Sequence, residues 1–227
     1  MKHLIALFVS VALFAAQAPL HAQASKIEQE VDKLLAAVGG RDIWADAHGF
    51  TMSEILHSDQ FELPVIRHYW VDFRSPRIME STEGNGLRQT RALNVDRGWT
   101  VRDEEYSDWP DAQVAGWRSF WPGIPTRVFH LLATNDPGIH AEWRDGVIDI
   151  FVDDTRVVWI ATDPEGTPVA YGREDRHTDT HLLGRPLQYG DVTLWSEAIE
   201  PGGDWRVVMV DYRLLNKPHT QSFEYQQ

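Results

Sequence analysis

The chain has 227 residues, a formal charge of -13, ten tryptophans and no cysteine. The acidity repels phosphate backbones and anionic headgroups, which argues against nucleic-acid and membrane-surface partners. The missing cysteine excludes disulfides, thiol nucleophiles, thiolate metal sites and a lipid-modified N-terminal cysteine.

The chain opens on Lys2 and His3, an apolar run from Leu4 to Ala16, and Ala22-Gln23-Ala24. That order reads as a cleavable secretory signal peptide, and its apolar run is short for a bilayer span. Residues 1–24 are therefore expected to be removed, leaving one domain over 25–227, periplasmic and not lipid-anchored. Ser25 and Glu28 form a capping box, and Ile27, Val31, Leu34, Leu35 and Val38 make an apolar stripe at helical spacing. Gly39-Gly40 ends that helix.

From Phe50 the period changes to two. Val65, Tyr69, Val71 and Phe73 alternate with Ile66, His68, Trp70 and Asp72. Arg67 interrupts this apolar face, and is expected to snorkel at the sheet edge rather than pair at a cavity mouth. Strands over 77–82, 87–93 and 99–102 follow, the first two joined by a hairpin turn at Glu83-Gly84-Asn85-Gly86. The cluster Asp103, Glu104, Glu105 and Asp108 reads as a solvated loop. Val114, Trp117 and Trp121 give a short helix over 108–121 with an aromatic face, and Pro122, Gly123 and Pro125 separate it from helical turns over 127–133.

Strands resume at 139–144 and 147–152 around Asp145-Gly146, then at 155–162 and 167–173. Segments 192–199 and 205–213 are expected to pair across Pro201-Gly202-Gly203-Asp204, with 221–225 closing the sheet. About ten antiparallel strands with few helices define an α+β fold. Successive strands with short loops are expected to form one curved sheet or an open barrel, with the helices packed on one face.

The leading helix ending Ala37-Val38-Gly39-Gly40, the run Tyr69-Trp70-Val71-Asp72 before Ser75-Pro76-Arg77, and Asn94-Val95-Asp96-Arg97-Gly98-Trp99 resemble the LolA-like superfamily of periplasmic lipoprotein-sorting carriers. The likeness is best over 25–103 and architectural from 139 onward. It implies a strongly curved antiparallel sheet, an incomplete half-open β-barrel, with helices as a lid on its concave face over an apolar cavity that shields acyl chains, and with no catalytic motif. The tryptophan-rich segment 109–121 and the acidic charge depart from that pattern and leave the cargo open.

Several strands are apolar on both faces, Val147–Val152 and Val157–Ile160 among them, so one face can line a cavity. The expected ligand-binding set is Trp70, Trp99, Trp117, Phe120, Trp121, Phe151 and Trp159, with Trp117, Phe120 and Trp121 in the lid; the competing reading of each is core filling. The ligand expected is apolar or lipid-like, a lipid or lipidated protein. An alternative role is an envelope interaction module using the tryptophan-rich helix or a sheet edge. A cavity enzyme is a third, although G-x-S-x-G, H-E-x-x-H and P-loop motifs are missing. No cofactor is expected. His177, Asp179 and His181 are weak metal candidates: alternate strand positions share a face, but at 6.5–7 Å spacing they are wide for one ion.

Overall fold

A computed structural model describes residues 26–173, 180–220 and 222–225. The expected leader, Ser25 of the capping box, His177, Asp179 and Gln221 lie outside the described residues. The first helix, α1, covers 26–37, and the stripe read from the sequence is what it buries: Val31, Leu34, Leu35 and Val38 are all in the core. Gly39 ends it with φ 124°, and a Cβ there would stand 2.8 Å from the Asp191 carbonyl, so both backbone and space demand glycine. A short helix α2 (Arg41–Ala45) follows.

Among the described residues fifteen strands come next. β1 (Gly49–Ser58), β2 (Val65–Asp72), β3 (Arg77–Gly84), β4 (Leu87–Asn94), β5 (Arg97–Arg102) and β6 (Glu105–Asp108) form a meander. Helices α3 (Asp111–Phe120) and α4 (Pro125–Thr134) interrupt it, joined by a 3-10 turn over Trp121–Gly123. The second half holds β7 (Ile139–Arg144), β8 (Val147–Val152), β9 (Thr155–Thr162), β10 (Pro168–Gly172), β11 (His181–Leu183), β12 (Pro186–Tyr189), β13 (Val192–Trp195), β14 (Glu197–Ile199) and β15 (Trp205–Leu215). Thirteen strands make one antiparallel sheet in the order β6-β5-β4-β3-β2-β1-β15-β14-β11-β10-β9-β8-β7, and β12 pairs with β13. The edges β6 and β7 do not meet, so the curved sheet stays open, as expected.

Three expectations change. Segment 192–199 is not one strand: it divides at Ser196, and only Glu197–Ile199 pairs with β15. The acidic cluster is a tight β5–β6 hairpin, with Asp103 and Glu104 at φ 49° and 74°. The cue was missed because that turn contains no glycine. Residues 222–225 form no strand. Instead Phe223 packs on the outer face against Trp99, whose Nε1 donates to the Phe223 carbonyl at 3.0 Å.

The helices sit on the concave face, where α1 and α4 share the principal core with Phe50, Val71, Ile78, Ile148 and Ile150. α4 is anchored along its length, every residue from Thr126 to Ala133 being buried. Pro125 starts it and Asn135, in the left-handed region, ends it. Arg41 Nη1 donates to the carbonyls of Leu132 and Ala133, and Arg127 Nε donates to Phe73 O while its guanidinium lies 3.5 Å from the Trp121 ring. By contrast α3 buries only Val114. The lid is thus α3 and the 3-10 turn, while α4 belongs to the core.

Candidate functional site

Strand register builds the site from three cross-strand rows on the inner face of β1–β4. The first row is apolar: Phe50, Val71, Ile78 and Leu93 stand opposite one another. The second is Met52, Tyr69, Glu80 and Arg91, and the third is Glu54, Arg67, Thr82 and Gln89. Moving along the strands, the wall therefore changes from hydrocarbon to charge within four residues. Opposite it, β10, β11 and β13–β15 contribute Tyr171, His181, Trp195, Trp205, Val207, Met209 and Tyr212. Above it lie Trp117 and Phe120 of α3, with Gly123 to Thr126 of the following turn. Together they enclose a cavity of about 620 Å³, inside the range of small-molecule and cofactor sites.

The charged rows are deeply placed. Glu54 and Glu80 are 5% and 4% exposed, a depth at which carboxylates persist only with partners. Arg67 Nη2 pairs with Glu54, and Arg91 Nη2 donates to Glu80 at 2.5 Å. Thr82 Oγ1 donates to the same Glu80 oxygen at 3.1 Å, and Tyr69 stands opposite Glu80 on the neighbouring strand. Burial pushes the Glu54 carboxyl up, against the attraction of Arg67. Burial also acts to raise Glu80, but Arg91 and Arg67 outweigh it and hold that carboxyl below its ordinary value. The Tyr69 and Tyr212 phenols are both raised by burial and stay protonated.

The row reaches the lid. Arg91 is shared between Glu80 and Trp117, its guanidinium 5.2 Å from the indole centroid. Trp117 also packs on Trp109, 4.8 Å between centroids. At the far end of α3, Arg173 Nη2 donates to the Ser119 carbonyl at 2.7 Å and its guanidinium sits 4.7 Å from Phe120. α3 thereby spans the opening of the curved sheet, from the β4–β5 side to the end of β10.

The aromatic residues read from the sequence separate into groups. Trp117 and Phe120 line the cavity. Trp70 and Trp99 lie on the outer face, in a cluster with Met79, Ala92 and Phe223. Trp121 pins the 3-10 turn, its Nε1 donating to Asp72 O at 2.7 Å. Phe151 stacks on His140 at 4.6 Å, and Trp159 is buried opposite Asp149 on the side of β9 away from Ile160. Strands β8 and β9 back the core under α4 rather than the cavity. Arg67 does not snorkel: its side chain is 15% exposed and pairs with Glu54. His181 lies in the cavity wall, stacked on Tyr171 at 4.8 Å. Among the described residues no group of three His, Asp or Glu side chains could hold a metal, and no helix is long and apolar enough to cross a membrane.

Reading by residue type missed Glu54, Tyr69, Glu80 and Tyr212, and it noticed Arg67 but placed it at the sheet edge. The available signal was period two. Glu54 follows Phe50 and Met52, and Glu80 follows Ile78, each on the inward side of its strand. Charges on inward positions of three adjacent strands mark a buried network, but only register shows that they pair.

The class this geometry defines is an open, strongly curved antiparallel sheet roofed by helices around a part-apolar, part-charged cavity. No protein-family model matches the sequence, and no curated protein matches it. Similar solved structures include a DUF1329 family protein from Desulfovibrio piger, with a TM-score of 0.45 at 6% identity over 82% of this chain and 90% of that one. Another is the MucA/MucB complex of Pseudomonas aeruginosa, with a TM-score of 0.33 at 14% identity over 87% of this chain and 61% of the matched chain.

Proposed function

We propose that this protein is an exported binding protein of the bacterial envelope that holds an apolar or lipid-like ligand in its cavity. The observation that carries the reading is the 620 Å³ cavity itself, with an apolar row at one end and an aromatic roof. Burying a methylene contributes about 0.8 kcal/mol, so a ten-carbon chain contributes about 8 kcal/mol before the cost of association. The leader sequence supports export to the periplasm, and the missing cysteine supports an unanchored protein. Acyl chains of lipids or lipidated proteins are the cargo we assign, in the manner of the LolA-like carriers that the sequence resembles. We assign the site no catalysis.

α3 is the element suited to admit the ligand. It buries a single residue, whereas α4 is fixed along its whole length, and weakly buried elements open at the lowest free energy. The test is a titration with a pyrene-labelled fatty alcohol, read by energy transfer from tryptophan. Saturable one-to-one binding with micromolar or lower Kd supports the reading, and no saturable signal refutes it.

A second reading, a protein-interaction module, is favoured by one feature. Ile66, Ile55 and Val208 form an apolar row across the outer face of β2, β1 and β15, with Ile66 47% exposed. The edge β6 suits this role less, because its Glu105 and Asp108 discourage strand addition. Loss of partner capture in Ile66→Lys, with probe binding unchanged, would favour it.

A further inference from the structure

We infer that the polar end of the ligand is an uncharged hydrogen-bond acceptor, an acyl ester or amide, and not a free carboxylate or an ammonium group; this rests on the cavity-binding reading above. The first observation is electrical balance in the β1–β4 wall; the carboxylates on the other side of the cavity are more exposed, Glu197 pairing with Arg206 at 26% exposure and Glu200 standing in solvent. Glu54 is matched by Arg67 and Glu80 by Arg91. An added carboxylate beside Arg67 would face both glutamates at close range. An added ammonium would face two guanidiniums already committed to those glutamates. Beside these buried rows either brings a charge with no countercharge left for it.

The second observation concerns what is left unpaired. Arg67 Nε, the Tyr212 hydroxyl and the Thr126 hydroxyl are buried and find no hydrogen-bond partner in the protein. Tyr212 and Thr126 stand close to each other without reaching hydrogen-bond geometry. All three residues contribute to the cavity wall, and Tyr212 is level with Tyr69 and Glu80, joined to their row through Met52. Each of these groups has a hydrogen to give. Buried donors without acceptors are rare in folded proteins because they forfeit their bonds to water. A ligand carbonyl supplies acceptor lone pairs and brings no charge, so it answers both observations at once. Its chain then runs along the Phe50–Val71–Ile78 row under Trp117.

The experiment compares three amphiphiles of one chain length at pH 7.5 by calorimetry: 1-monododecanoylglycerol, dodecanoate and dodecylamine. The glyceryl ester is expected to bind at least ten-fold more tightly than either charged compound. Tyr212→Phe and Thr126→Val, which keep shape, should each weaken the ester about five-fold, the worth of one hydrogen bond, and leave the charged pair unchanged. Equal affinities, a charged amphiphile binding best, or an unchanged ester affinity in both variants would overturn the inference while leaving the cavity reading intact. Failure of all three to bind would instead overturn the cavity reading, and this inference with it.

Discussion

Removing Arg67 probes the charged wall most sharply, because it leaves Glu54 in place without the guanidinium that pairs with it. Glu54 is 5% exposed and its partner's side chain 15%, so water cannot take over solvation of the carboxylate. Breaking a buried pair from one side costs about 3–5 kcal/mol, while replacing both partners is often near neutral. Arg67→Met should therefore lose about 3–5 kcal/mol at pH 8, and the double variant Glu54→Gln/Arg67→Met should recover at least about 2 kcal/mol of it.

The loss should also depend on pH, with a definite sign. Burial already raises the Glu54 pKa, and losing Arg67 raises it further. A carboxyl whose folded pKa lies above its unfolded value favours the fold at low pH, and that contribution fades as pH rises through the folded value. Arg67→Met should accordingly lie nearest to the wild type at about pH 4.5 and fall away toward pH 8, the ordinary glutamate value marking the lower bound. Urea titrations of wild type, both single variants and the double variant at a series of pH values measure this. An Arg67→Met cost under about 1 kcal/mol at pH 8, or strictly additive single variants, would refute the reasoning.

His130 should give the opposite trend on the acid side. Burial against Phe73 keeps its pKa low and outweighs the Trp44 carbonyl bond, which acts to raise it, so the unfolded chain takes up a proton that the folded one resists. Stability should fall as pH drops through about 6.5, by at most about 1.4 kcal/mol per unit, and His130→Gln should flatten that slope in urea titrations. Two glycines should respond with opposite signs in thermal melts. Gly98→Ala drives a Cβ to within 1.9 Å of the Trp109 ring and should cost about 1–3 kcal/mol, whereas Gly116→Ala on α3 meets no atom within 4 Å and should gain about 0.5–1 kcal/mol. Trp117→Ala removes the packing on Trp109 and the cation-π contact with Arg91, and should cost about 1–2.5 kcal/mol in urea titrations. It should also weaken the pyrene probe several-fold; unchanged probe affinity would mean that α3 does not roof the ligand.

Local signals carried most of the fold. The α1 stripe, the alternation of β2 and the Asp145-Gly146 turn are each set by residues within a few positions of one another, so each could be read directly. Signals failed where the deciding contact is remote. The C-terminal residues suit a strand, but Trp99 draws Phe223 across the outer face instead. The helical lid was legible as an aromatic face on 108–121, yet its division from α4 depends on what each helix buries. Choosing site residues by aromatic size mixed two faces of the sheet, because Trp70 and Tyr69 are adjacent in sequence and opposite in space. The charged rows needed cross-strand register, which no single strand contains.

The most direct measurement is native mass spectrometry of the protein purified from its native cells without detergent. The account predicts a bound species of lipid mass that dissociates on collisional activation, and that is released when added 1-monododecanoylglycerol takes its place. A spectrum holding only the bare polypeptide, with no adduct formed on adding the ester, would contradict it.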